Sequence, residues 1–227
     1  MPVCPRTLPS SGLTCAVLYL ATPSGPEVRA AMQAGLLGCM TTPAQGNLIP
    51  PGTHYACDNG KFGKGWPGAD AWFAWLRATV QRYGPDLCLW AVAPDVPMDA
   101  AATLVESLPW LARIRSLGIP VAFAAQDGSE QDGLIPWDGI DVLFLAGSTE
   151  WKTSPAANRL AQQARDRGLA VHMGRVNSRR RLRVAQAFGC TTADGTYLAY
   201  GPDTNLPRLL AWMNELHTTP TLFGDPT

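Results

Sequence analysis

Three single aspartates, Asp58, Asp95 and Asp194, each follow a short apolar run, and carboxylates so placed suit glycosyl chemistry. One carboxylate can attack an anomeric carbon, another can shuttle a proton, and a third can accept hydrogen bonds from the donor edge of a base. Other polar residues fall at equivalent places: Gln126-Asp127 after Phe123, Gly147-Ser148 after Leu145, and His172 to Arg175. Taken alone, an aspartate in Asp58-Asn59-Gly60 or Asp194-Gly195 is as readily a turn or helix-capping residue. Their shared placement is what argues for a site.

A second constellation is cationic. Arg175, Arg179, Arg180, Arg181 and Arg183 crowd one segment, and Asn177 or Ser178 is placed to cap the helix carrying four of them. Like charges this dense repel, so an anionic partner such as phosphate is favoured over a purely solvated face. The segment Gly60-Lys61-Phe62-Gly63-Lys64-Gly65-Trp66 combines glycines, the cations Lys61 and Lys64, and aromatic rings in a loop suited to close over a nucleotide and stack on a base. It lacks the spacing of a phosphate-binding Walker loop. His54, His172 and His217 show no metal-ligand spacing, and Trp72, Trp75 and Trp110 fall at helical positions that pack outer helices.

The elements that must position these residues alternate short β-rich runs with segments of helical period, the pattern of parallel strands joined by crossover helices. Strands are predicted at 15–20, 36–39, 54–57, 87–92, 121–124, 142–145, 170–173 and 190–193. Helices are predicted at 26–34, 69–83, 99–117, 154–167, 178–188 and 205–217. Gly84, Gly118, Gly168 and Gly189 punctuate the helix ends. Eight strands predict a single (β/α)8 TIM-type barrel, irregular near residues 41–53, where Pro and Gly replace a helix. An open doubly wound sheet is the alternative, because short apolar runs do not distinguish strands from buried helix turns. The barrel domain is expected over residues 1–218, with a short C-terminal tail at 219–227.

Composition fits one globular domain: 227 residues, 46% hydrophobic and 16% charged. The formal net charge is zero, so attraction to a polyanion has to come from local clustering. Six cysteines without a C-x-x-C pair suggest a reducing, cytoplasmic compartment, and no segment reads as a signal peptide or membrane anchor.

In chain order, Asp58-Asn59-Gly60-Lys61-Phe62, Asp95, Gln126-Asp127-Gly128, Leu145-Ala146-Gly147, His172-Met173-Gly174 and Cys190-Thr191-Thr192-Ala193-Asp194 resemble the landmarks of tRNA-guanine transglycosylases. The resemblance runs from about Tyr55 to Tyr197. It implies Asp194 as nucleophile and Asp58 as general acid and base, with Asp95, Gln126, Gly147, His172, Met173 and Phe62 around the base. It implies no metal and no cofactor. Lys61 stands where the family has a glycine, and the family's C-terminal zinc-site pattern is absent, so the chain looks more like the small phage-type, DpdA-like branch that places 7-deazaguanines in DNA. The partners implied are DNA, held by Arg175, Arg179, Arg180, Arg183, Lys61 and Lys64, and a free 7-deazaguanine base, with no membrane. The expected reaction is exchange of guanine through a covalent aspartyl-glycosyl intermediate, a pentosyltransferase activity. The rivals are a nucleoside or glycoside hydrolase on the same carboxylates and an inactive nucleic-acid-binding barrel.

Overall fold

The computed structural model describes residues 17–218, with side chains through 216. The predicted tail at 219–227, and Cys4 and Cys15, lie outside the described residues. Eight parallel strands close in sequence order: β1 (Leu18–Ala21), β2 (Gly38–Thr41), β3 (Tyr55–Cys57), β4 (Cys88–Val92), β5 (Val121–Ala125), β6 (Val142–Leu145), β7 (Ala170–Met173) and β8 (Thr192–Asp194). β8 returns to β1 in register Leu18↔Thr192 and Leu20↔Asp194, which excludes the open-sheet alternative.

The helices are α1 (Pro26–Gln33), α2 (Ala69–Tyr83), α3 (Ala100–Arg115), α4 (Thr149–Lys152), α5 (Pro155–Asp166), α6 (Arg179–Ala187) and α7 (Pro202–Thr218). As expected, residues 42–54 between β2 and β3 contain no helix. The β5–β6 connection is also irregular, with a single 3₁₀ turn at Trp137–Gly139. Gly168 and Gly189 sit at φ 74° and 72°, the left-handed turn that ends α5 and α6 and sends the chain into the next strand. None of the described helices is long and apolar enough to cross a membrane.

Strand alternation divides the core. Leu20, Met40, Ala56, Trp90, Val92, Ala122, Ala124, Val142 and Phe144 fill the barrel, while their neighbours, such as Tyr19, Leu143 and Leu145, meet the helices. Trp72 of α2 and Trp110 of α3 pack edge to face at 5.4 Å in that outer layer, as their spacing predicted. Cys39, Cys57, Cys88 and Cys190 are buried free thiols.

Candidate active site at the barrel mouth

The period-two rule that fills the barrel continues one step past the strand ends. Ala56 points inward and Cys57 outward, so Asp58 faces the mouth; Ala124 does the same for Gln126, Phe144 for Ala146, His172 for Gly174, and Thr192 for Asp194. Together with Asp95 and Asn59 these residues line a cavity of about 310 Å³, whose lining also includes Phe62, Arg175, Thr22, Gln45 and Thr196. A second cavity, of about 380 Å³, lies away from these carboxylates, between Arg29 of α1, Tyr83 of α2 and the Leu48–Pro51 stretch.

Asp95 is buried and held by amides. Asn59 Nδ2 donates to Oδ1 at 2.7 Å and to the Ala93 carbonyl at 2.9 Å, and Gln126 Nε2 donates to Oδ2 at 2.6 Å. Gln126 is itself fixed, accepting from Met98 N–H at 3.0 Å, while its own N–H donates to Ser129 Oγ. Burial still raises the Asp95 carboxyl above the usual carboxylate range, against the lowering effect of the amide donors and Lys61.

Asp58 lacks such support. Gly60 N–H approaches Oδ1 at 3.3 Å, and burial, then the Asp194 charge, push the carboxyl up to about 7. Asp194 lies at 3.0 Å from Nε2 of the fully buried His172, whose Nδ1 is 2.8 Å from Thr192 Oγ1. Burial lowers the His172 pKa, so the ring is neutral at pH 7. A carboxylate only accepts, which puts the proton on Nε2 and leaves Nδ1 to accept from the threonine hydroxyl. The ring is wedged between Trp90 and Phe144, with centroids 4.6 and 4.5 Å away, so Asp194 is aimed by a rigid donor.

Arg175 adopts φ 57°, a left-handed backbone that costs a side-chain-bearing residue about 1–2 kcal/mol. In that conformation its Nη2 donates to the Ala146 carbonyl at 2.7 Å and to that of Gly147, and its guanidinium lies 4.1 Å over the Phe62 ring.

Strand parity also separates residues that the sequence grouped. His172 points into the barrel behind Asp194 and Met173 packs outward among the helices, so neither lines the cavity. Gly147 is likewise off the cavity: a Cβ there would fall 2.6 Å from Asp127 Oδ2 and from Trp151, so the glycine is a packing requirement of the β6–α4 turn. Lys61 turns away to pair with Glu106 of α3 and lies 5.0 Å from the Trp66 ring. Lys64 and Arg180 are exposed, and Arg179 and Arg183 both bond to Glu215 of α7, so the cluster is partly neutralised by its own chain. Arg181, expected among the helix arginines, reaches back to the Arg175 carbonyl at 3.1 Å.

Asn59 and Asp127 stand within the quoted motifs but were given no role, and Lys152 was not singled out. Asp127 fixes the β6–α4 turn through Ser148 N–H and Oγ, both at 2.6 Å. Lys152 lies in a four-residue helix too short to show a period. It is fully buried, donates to the Gly174 carbonyl at 2.5 Å, and is lowered to about 7 by burial and by Arg175. Among the described residues no group of three or more His, Cys, Asp or Glu side chains is placed to hold a metal ion.

No known protein family profile matches the chain, and no curated protein does. Solved structures share the barrel. The chain has a TM-score of 0.48 and 13% identity to an HpcH/HpaI aldolase from Desulfitobacterium hafniense DCB-2, over 93% of this chain and 96% of that one. Against the YdjI aldolase from Escherichia coli K12 the values are 0.47 and 13%, covering 90% and 86%. Against L-talarate dehydratase from Polaromonas sp. JS666 they are 0.45 and 14%, over 82% of this chain and 55% of that one, so the chain spans about half the length of that enzyme. The structural relatives are thus aldolase, dehydratase and acetylhydrolase barrels in place of the tRNA-guanine transglycosylases that the ordered motifs suggested. The DpdA-like assignment is corrected accordingly, and with it guanine exchange, the pentosyltransferase class and the DNA-modification reading. The glycoside hydrolase rival gains no support from these relatives either. The physical reason is that each landmark is one to five residues long, and a polar residue just past an apolar strand is what any barrel of this kind presents at its mouth. DNA and free 7-deazaguanine entered through that resemblance and are not carried forward. The architecture of a (β/α)8 barrel rests on the closed ring of eight parallel strands.

Proposed function

We propose that the mouth of the barrel is the active site of an enzyme that moves protons on a small polar molecule, with Asp58 and Asp194 as its acid and base. The observation that carries this reading is the Asp58 carboxyl pushed up to about 7 in a cavity that it shares with Asp194. An acid poised near neutrality gives up and regains a proton readily at pH 7. In the forward direction Asp194, oriented by the neutral His172, takes a proton from the substrate, and Asp58 delivers one to the atom where charge develops. Asp95, anchored by Asn59 and Gln126, presents its remaining acceptor capacity to an N–H or O–H edge of the substrate. Arg175, stacked on Phe62, lines the same cavity. A cavity of about 310 Å³ suits a substrate of metabolite size.

The test is deuterium wash-in. Pools of small metabolites bearing amide, amidine, ureide or hydroxy-acid groups are incubated with the protein in heavy water, returned to ordinary water so that N–D and O–D label is lost, and followed by mass spectrometry for carbon-bound deuterium. Wild-type protein is expected to label or convert at least one compound, and Asp58→Asn and Asp194→Asn to do neither while still folded. Labelling that persists in both variants would overturn the reading.

A further inference from the structure

Strand pairing between β7 and β8 ends at Met173↔Ala193. Gly174, Arg175 and Val176 then leave the sheet as the turn toward α6, and no backbone N–H of the described residues donates to their carbonyls. Backbone carbonyls at a largely buried turn need partners. Each of the three takes one from a side chain on a different element. Lys152 Nζ of α4 donates to Gly174 at 2.5 Å, Arg181 Nη1 of α6 to Arg175 at 3.1 Å, and Tyr19 Oη of β1 to Val176 at 3.1 Å.

The turn in turn grips the end of β8. Val176 N–H donates to the Asp194 carbonyl at 2.6 Å. The fit is close on both strands: a Cβ on Gly195 would meet the Tyr19 hydroxyl at 2.5 Å and the Val176 carbonyl at 2.9 Å, and one on Gly174 would lie 3.3 Å from Asp194 Oδ1. Packing alone does not call for this arrangement. Lys152 is a fully buried cation that belongs to none of the ion pairs of the described residues, and the like charge of Arg175 is among the causes that lower its pKa. An apolar side chain would fill its place without desolvating a charge. The left-handed backbone of Arg175, at φ 57°, falls in the same turn. Strain gathered in three residues beside a cavity marks a functional constraint.

We infer that Tyr19, Lys152 and Arg181 are positioning residues, which fix the Gly174–Val176 turn and through it hold the backbone of Asp194 and the side chain of Arg175 at the mouth. His172 aims the Asp194 carboxylate, and the turn holds the main chain that carries it. The inference rests on the reading of Asp194 as the base.

Tyr19→Phe is the sharpest test, because it removes one hydroxyl, no charge and little volume. Amide exchange followed by NMR should speed up about tenfold at Val176 while the amides of β5 exchange as in the wild type. The rate of carbon-bound deuterium labelling should fall about 10- to 100-fold, as expected when a reacting group is misplaced. The Asp58 midpoint should fall below about 7, because the two carboxylates repel and a freed Asp194 retreats. Arg181→Ala should show the same changes in exchange and labelling. Wild-type labelling and an unchanged Asp58 midpoint in Tyr19→Phe make the turn a structural feature only and overturn the inference, and so does Val176 exchange that neither variant alters. A wild type that labels nothing and whose Asp58 titrates near 4 brings down the acid–base reading and this inference together, whereas labelling that Tyr19→Phe matches removes the inference alone.

Discussion

A carboxyl that titrates near 7 has been made harder to ionise by folding, and Asp58 should therefore destabilise the protein wherever it is charged. Its folded value lies above the ordinary one of 3.8, so the native state holds the extra proton between about 4 and about 7, and stability is lost as pH rises through that window. Asp58→Asn removes the dependence. Urea midpoints of the variant should match or fall below the wild type near pH 4.5 and exceed it near pH 8, the usual price of a strained functional group. A wild-type advantage at both pH values would contradict the assignment. Lys152 has the opposite sign. Its folded value is near 7 against 10.5 unfolded, so the unfolded state binds the extra proton between them and stability rises with pH across that interval. Relative to wild type, Lys152→Met should be most favoured near pH 7 and lose that advantage by about pH 10. The Gly174 carbonyl left without its donor in the variant adds a penalty of about 1–3 kcal/mol at every pH.

At the scale of the elements, the mouth depends on turns that place polar residues one step beyond each strand. Gly147 is tightly enclosed, because a Cβ would meet Asp127 Oδ2 and Trp151 at 2.6 Å and the Asp127 backbone nitrogen at 3.0 Å. Gly147→Ala should cost about 1–3 kcal/mol by displacing the β6–α4 turn, read as a lowered midpoint in thermal unfolding, whereas exposed Gly63→Ala should be nearly neutral. Equal effects at the two positions would show that the turn is not held as described. These turns also explain what the sequence could and could not disclose. Apolar runs bounded by glycines located every strand to within three residues at either end, and the polar residues after them supplied Asp58, Asp95, Gln126, Arg175 and Asp194, which share one cavity. Grouping His172 with Met173 ignored the alternation of a strand, which sends neighbours to opposite sides. α4 and Lys152 were invisible because a four-residue helix has no period to detect.

Over the whole molecule, closure of the barrel is what turns the eight separate strand ends into one site, and this was legible because eight apolar runs with intervening helices admit few other architectures. The chemistry was less legible. Order and spacing of short motifs follow from the barrel itself, so they suggested a transglycosylase where the structural relatives are aldolases and dehydratases. The arginine cluster likewise looked like an anion site until folding brought Glu215 of α7 against Arg179 and Arg183, a pairing between residues more than thirty positions apart that no local pattern announces.

The central claim, that the barrel mouth holds an aspartate poised to exchange protons beside a second carboxylate, is tested most directly by carbon-13 NMR titration of the aspartate side chains in wild-type and Asp194→Asn protein. A carboxyl with a midpoint about 7 is expected in the wild type, absent from Asp58→Asn and shifted downward in Asp194→Asn because the neighbouring charge is the second cause of its elevation. An Asp58 that titrates near 4 in both proteins would contradict it.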